Sequence, residues 1–233
     1  METKLPTQPY RILVKFPTRN RPQKFIECIK DMYVGMGDKV NTKIIVTADI
    51  DDETMYNKNV LMAVRPFIEN YGLEIRYGKS NSKIDAVNRD IENIKDWDII
   101  VIMSGDMKCM GNSFDYIIRK SFEQFFPDMD GIIHYNDGFT QDKLITLPVM
   151  GRKYYERFGY IYHPSYKSLW CDNEMTDVAR KLQKVVYVEQ PIFRHNHFSN
   201  VGGYMDEQLR HTESFSAVDN QNYENRKSRN FDL

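Results

Sequence analysis

Cysteine is scarce in this chain. Three stand among 233 residues, at Cys28, Cys109 and Cys171. They are odd in number and far apart, which excludes a disulfide framework and any zinc-site spacing and leaves reduced thiols in a cytoplasmic protein as the plain expectation. Net charge is missing too: 32 basic side chains against 33 acidic ones leave −1, so nothing draws the whole surface toward nucleic acid or an anionic membrane. Long apolar runs are absent. The most apolar stretch, residues 99–103, is far too short to span a bilayer. The opening METKLPTQPY has no signal-peptide core, so no transmembrane or targeting segment is expected. Two nucleotide-binding signatures are also lacking: GKSNSK does not complete G-x-x-x-x-G-K-[ST], and no G-x-G-x-x-G occurs. No internal repeat, low-complexity tract or linker interrupts the sequence.

What is present is a core-forming composition, 41% hydrophobic, in a length that suits one domain. Residues 11–16 form a short apolar strand broken by Pro17, Thr18, Arg19 and Asn20. Pro22 then suits a first helical turn, and Phe25, Ile26, Ile29 and Met32 recur at helical spacing. The rhythm repeats with strands at 42–47, 73–77, 97–103 and 131–135, and helices at 53–70, 82–94 and 111–126. Alternation of this kind implies an α/β fold with a mostly parallel sheet covered on both faces. Ligands bind such sheets beyond the carboxyl ends of the strands. Thr18, Arg19, Asn20, Asp49, Asp51, Asp52, Asp106, Asn136 and Asp137 follow those ends and are expected on one rim. Further on, residues 143–147 suggest a strand, 150–158 a helix, 172–183 a helix and 185–188 a strand. Residues 215–229 form a polar helix expected to lie on the surface.

Several of these residues suit chemistry, each against a plainer reading. Asp106 follows a buried strand and a small-residue turn, where a carboxylate can bind a hard divalent cation; alone, it is more simply a turn residue bonding its own backbone. His195 and His197 would point the same way from an extended segment, and a neutral imidazole suits a transition metal; surface histidines are the plainer alternative. Asp172 and Glu174 open a helix, as acidic residues do for capping reasons, or supply a general base. Lys79 and Lys83 flank a helix start able to hold phosphate, and Arg19 and Arg21 carry the same two readings; solvated surface side chains are the default.

Taken in order, the segments resemble the family 2 glycosyltransferases of the GT-A fold, from about residue 11 to about residue 197. KFPTRNRP looks like the first-strand motif, whose Thr-x-Arg or Thr-x-Asn contacts the nucleotide, here Pro17, Thr18, Arg19 and Asn20. VTADIDD is similar to the second-strand end whose aspartate holds the base, here Asp49 with Asp51 beside it. YGKSNSKIDAVNRDI resembles the segment that cradles nucleotide and phosphate through Gly78, Lys83 and Asn88. DWDIIVIMSGDM resembles the strand into the D-x-D metal motif, with Ser104 in the place of the first aspartate, then Gly105, then Asp106 as the matching metal ligand. WCDNEMTDVARK is similar to the acidic motif that supplies the base, read as Asp172 with Glu174 second. RHNH resembles the downstream histidine that completes the metal site, with His197 preferred over His195.

The resemblance implies a single GT-A domain. Residues 10–137 would form its nucleotide-sugar half, 138–203 its acceptor side and 204–233 a helical tail. It also implies a nucleoside diphosphate sugar donor (a UDP-sugar by expectation), Mn²⁺ or Mg²⁺ as cofactor, and inverting single displacement. The acceptor side is expected around 134–138, 147–151 and 160–170, with Asn136, Asp137 and Trp170 as contacts. Its aromatic residues, among 15 tyrosines in the chain, stack on sugars and bases alike. A glycan, lipid-linked glycan, protein or modified DNA would all supply a hydroxyl. A terse, Lys/Asn-rich composition has the look of a phage or bacterial product and keeps open a hydroxymethylated DNA base, served by basic clusters at Arg19, Arg21 and Lys24, at Arg152, Lys153 and Arg157, and at Arg226, Lys227 and Arg229. The competing class is a non-catalytic nucleotide- or glycan-binding module, favoured by Ser104 and opposed by the candidate base.

Overall fold

The elements run β1 (Ile12–Thr18), α1 (Pro22–Gly35), β2 (Thr42–Asp49), α2 (Lys58–Tyr71), β3 (Glu74–Gly78), α3 (Lys83–Asn88), β4 (Ile99–Ile102), β5 (Met107–Cys109), α4 (Phe114–Phe125), β6 (Ile132–Tyr135), β7 (Val149–Gly151) and α5 (Arg152–Phe158). They continue through α6 (Cys171–Lys181), β8 (Val185–Val188), β9 (Phe193–His195), α7 (Glu207–Glu213) and α8 (Ser216–Ser228), closing on a 3-10 turn at Asn230–Asp232. The structure is a computed structural model and describes residues 9–196 and 207–233.

Seven strands form one sheet in the order β3-β2-β1-β4-β7-β6-β8. β1 pairs in parallel with β2 and β4, and β2 with β3, while β7 runs against both β4 and β6. β1 shows how the two faces divide. Its side chains alternate with period two: Ile12, Val14 and Phe16 join Phe25, Ile29, Val60, Val64, Phe114 and Phe122 in one core. Leu13 joins Ile84, Val87, Tyr154, Met175 and Val178 in the other. A GT-A, Rossmann-like arrangement follows, with helices on both faces of a mostly parallel sheet.

Local chemistry moves several boundaries. The helix expected from residue 53 begins at Lys58, because Asp52 ties down Thr54 and Asn57 caps the helix by accepting from the N–H groups of Asn59 and Val60. The helix expected over 82–94 ends at Asn88: Asp90 sits at φ 72°, and the Lys15 ammonium binds the Arg89 carbonyl. Residues 143–147 are not a strand. Ile145 donates its N–H to Thr176, and the Leu144 and Lys143 carbonyls accept from the side chains of Thr140 and Arg180, so much of this backbone is claimed by side chains. The strand comes later, as β7, and α5 accordingly starts at Arg152. The terminal polar helix, α8, does not simply lie on the surface. It buries Asp219, Tyr223 and Arg226. Asp219 accepts from the backbone N–H groups of Lys167, Ser168 and Leu169.

A second, two-stranded sheet joins β5 to β9 with Met107 opposite His195. Neither three-residue strand is long enough to show a period in the sequence.

Candidate active site

The carboxyl ends of β3, β2, β1 and β4 lie side by side in the sheet order. Gly78, Asp49 and Thr18 close three of these strands, and the Ser104–Gly105–Asp106 turn follows β4. Two clusters stand on this rim.

The first centres on Asp49. Arg19 Nη1 donates to Asp49 Oδ2 at 2.7 Å and to Asp51 Oδ1 at 2.7 Å. Asp49 is buried, whereas Asp51 is open to solvent. Asn20 turns through φ 56° and donates its backbone N–H to Asp52, with its side-chain amide on Gln208. Pro17 lies opposite Thr47 in the β1–β2 ladder, and Thr18 reaches the Met55 sulfur.

The second cluster centres on Asp106. Ser104 donates its hydroxyl to Asp106 Oδ1, and His195 Nε2 lies 3.6 Å from Asp106 Oδ2. Two backbone links hold this pair together: the β5–β9 ladder, and the Asn196 N–H donating to the Asp106 carbonyl at 2.8 Å. Burial opposes ionisation of Asp106, but hydrogen bonding and charge from His195, the Ser104 hydroxyl and the Lys83 ammonium outweigh it and hold the carboxyl well below the usual carboxylate range. Asp172, in the first turn of α6, shifts the other way. Burial raises its pKa, partly offset by Lys83, by the N–H groups of Asn173 and its own residue, and by His195. The two carboxylates therefore share Lys83 and His195 as neighbours, yet their pKa values shift in opposite directions.

Asp106 and His195 offer one oxygen and one imidazole nitrogen. Among the described residues no group of three His, Cys, Asp or Glu side chains forms a metal cage. Such a pair suits a Mn²⁺ or Mg²⁺ ion provided that further ligands, from water or a bound anion, complete its shell. His197 lies outside the described residues.

Other candidates are drawn elsewhere. Asn88 spends its side chain on the backbone of residues 161–162, donating to the Tyr162 carbonyl and accepting from the N–H groups of Ile161 and Tyr162. Glu174 is buried, with Arg226 Nε and Nη2 at 2.6 and 2.8 Å and the Tyr166 hydroxyl at 2.7 Å. Asp137 accepts from the N–H groups of Phe139 and Thr140 and from two threonine hydroxyls, and Asn136 pairs with Glu189. Trp170, held at φ 62° before α6, tilts against Tyr223. These contacts shape the 137–146 and 160–170 loops around the rim. Two of the three basic clusters are neutralised: Arg152, Lys153 and Arg157 pair with Glu156, Asp128 and Asp130, and Arg226, Lys227 and Arg229 pair with Glu174, Asp177 and Asp232. In the remaining one, Arg19 is bound to Asp49 and Asp51.

The buried Lys15 and the half-buried Arg89 both escaped the sequence reading. Lys15 looks like one residue of an apolar strand, and only its period-two position marks it as inward. Arg89 stands one residue past Asn88 in a segment expected to be helical.

No family profile and no curated protein matches the chain. Solved structures do. A mannosyltransferase, PcManGT from Pyrobaculum calidifontis, in complex with GDP-Man and Mn²⁺, superposes with a TM-score of 0.59 at 16% identity, over 79% of this chain and 56% of that one. S. aureus TarS 1-349 in complex with UDP gives 0.61 at 10% identity, over 78% and 59%. The same protein in complex with UDP-GlcNAc gives 0.57 at 12% identity, over 90% and 66%. The chain thus spans between about half and two thirds of the length of these structures and shares their fold.

Proposed function

We propose that this chain transfers a glycosyl group from a nucleoside diphosphate sugar, with a UDP-sugar as the expected donor, to an acceptor hydroxyl by inverting single displacement. The observation that carries this reading is the pair of carboxylates with opposed proton environments, Asp106 and Asp172, flanking Lys83 and His195 on the rim of a GT-A sheet. Support also comes from the similar solved structures, which hold GDP-Man with Mn²⁺ in one case and UDP or UDP-GlcNAc in the other.

In this reading Asp49 accepts a hydrogen bond from the donor base, and Arg19 yields its place on that carboxylate. Lys83 faces the diphosphate. Asp106 and His195 hold a divalent cation, which when bound neutralises the charge that develops on the leaving diphosphate. Asp172 takes the proton of the acceptor hydroxyl as its oxygen attacks the anomeric carbon. The bond from that carbon to the diphosphate oxygen breaks with its electron pair on the oxygen. A carboxylate whose pKa burial has raised is the better base for this step. Glu174, already bound by Arg226 and Tyr166, acts as a structural residue. The neutralised basic clusters favour a glycan, lipid-linked or protein hydroxyl over a DNA base.

Calorimetric titration with UDP, GDP, CDP, dTDP and ADP, each with and without Mn²⁺, tests the proposal. One nucleoside diphosphate should bind, more tightly with Mn²⁺, and the metal-dependent part should vanish in Asp106→Ala. Absence of binding by all five would overturn it.

A further inference from the structure

The Asp49 carboxylate has an inner and an outer oxygen. Oδ2 faces the exposed Arg19. Oδ1 is buried and has no hydrogen-bond partner among the described residues; the cation beside it is Arg89, with Nη2 at 3.6 Å. The Arg89 guanidinium is itself fixed on three sides. Nε donates to Ser80 Oγ at 2.9 Å, Nη1 to Asp90 Oδ2 at 2.9 Å and Nη2 to the Ala48 carbonyl at 2.9 Å. Ala48 immediately precedes Asp49, so the group that faces the carboxylate is also tied to the backbone that carries it. A planar, five-donor fork is suited to such a task, and a lysine could not make the same set of contacts. The seat exists because residue 78 is a glycine: a Cβ there would stand 2.5 Å from Arg89 Nη1.

We propose that Arg89 is a positioning residue for the donor base. It keeps the Asp49 carboxylate aimed across the strand ends, so that it selects bases presenting a ring N–H over bases presenting a ring nitrogen acceptor. Gly78 is required to seat it. This assignment rests on the function proposed above. It gives Gly78 a reason distinct from contact with nucleotide, and it adds a residue that the sequence reading passed over.

Gly78→Ala is the informative variant. The new methyl group meets only the far end of a flexible side chain, so it should evict the guanidinium and leave the fold intact. We expect UDP affinity to fall about tenfold and the UDP-to-CDP affinity ratio to narrow, with KM moved more than kcat, all measured well below a thermal midpoint that drops because Asp49 and Asp90 lose the Arg89 cation. Arg89→Met should behave alike. In an Asp49→Ala background neither change should matter further, because residues acting through one another are not additive. Equal losses for UDP and CDP, full additivity with Asp49→Ala, or unchanged affinity in both variants would overturn this assignment alone. Failure of the parent chain to bind any nucleoside diphosphate would overturn the function proposal and this assignment together.

Discussion

Arg226→Met tests the division of labour between the two acidic residues of α6. In the parent, Arg226 and Glu174 are each about 6% exposed at the side chain. Arg226 donates twice to Glu174 and also reaches Asp232 and the Phe231 carbonyl. Methionine has similar length and no charge, so the substitution leaves the Glu174 carboxylate buried with Tyr166 as its remaining donor. Breaking a buried pair from one side costs about 3–5 kcal/mol, whereas replacing both partners by apolar groups is often close to neutral. At about 2–4 °C per kcal/mol for a chain of this length, the single variant should melt roughly 6–20 °C lower. The double variant Glu174→Met/Arg226→Met should recover most of that loss. Urea unfolding followed by tryptophan fluorescence gives the free energies, and donor turnover is measured on the same samples below the transition. A single variant within about 1 kcal/mol of the parent, or a double variant less stable than the single, would refute the reasoning. Loss of turnover in a fully folded double variant would return Glu174 to the chemistry.

Asp172→Asn should retain nucleotide binding and lose about 10²–10⁴-fold in transfer rate, as removal of a general base does; unchanged turnover refutes that role. In the parent, transfer should fall as pH drops through the Asp172 pKa, with an acid limb above the ordinary aspartate value of about 4, because burial favours the protonated form. Lys15 makes a stability prediction. Burial lowers its pKa to about 7, with Asp90 partly restoring it and Arg89 lowering it further. The unfolded chain, with a lysine pKa of about 10.4, then binds more protons above pH 7, so stability should rise with pH from about 7 to 8.5 by roughly 2 kcal/mol. That slope should disappear in Lys15→Met, and a slope of the opposite sign in the parent would refute the assignment. Asp219→Ala should leave three backbone N–H groups of the 167–169 loop, that of Ser168 fully buried, without their acceptor and destabilise the chain by about 2–3 kcal/mol, read by the same urea unfolding; a change under about 0.5 kcal/mol would contradict it.

How far the sequence could be read depended on whether a residue's partners were local. The central parallel strands β1, β2 and β4 are mostly apolar and are followed by polar residues, so they and the places of Asp49 and Asp106 were legible from pattern and order. Side chains whose partners lie far along the chain were not. Nothing near Asn88 indicates that its amide will be filled by residues 161–162, and nothing near Glu174 indicates Arg226, 52 residues later. The same cause hid the buried face of α8, though not the helix itself. Its inward side chains include Asp219 and Arg226, so its buried stripe is partly polar and carries little helical amphipathicity. Residues 143–147 misled in the opposite direction: Ile145 and Leu147 are both buried as in a strand, yet the Ile145 N–H donates to Thr176 and the Thr146 N–H back to the Leu144 carbonyl rather than to a neighbouring strand.

The β5–β9 ribbon sets an order of assembly during synthesis. Asp49, Arg19, Gly78 and Arg89 all lie within the first 90 residues, so the residues proposed to hold the base leave the ribosome while the rest is still being translated. Asp106 acquires His195 only after about 90 further residues have left the ribosome, several seconds at ordinary elongation rates. Through that interval the Asp106 carboxylate has Ser104 but not its imidazole neighbour. A nascent chain stalled before β9 should therefore carry Asp49 and its partners without the Asp106–His195 pair, so that, on the proposed function, cation affinity would mark completion of the domain.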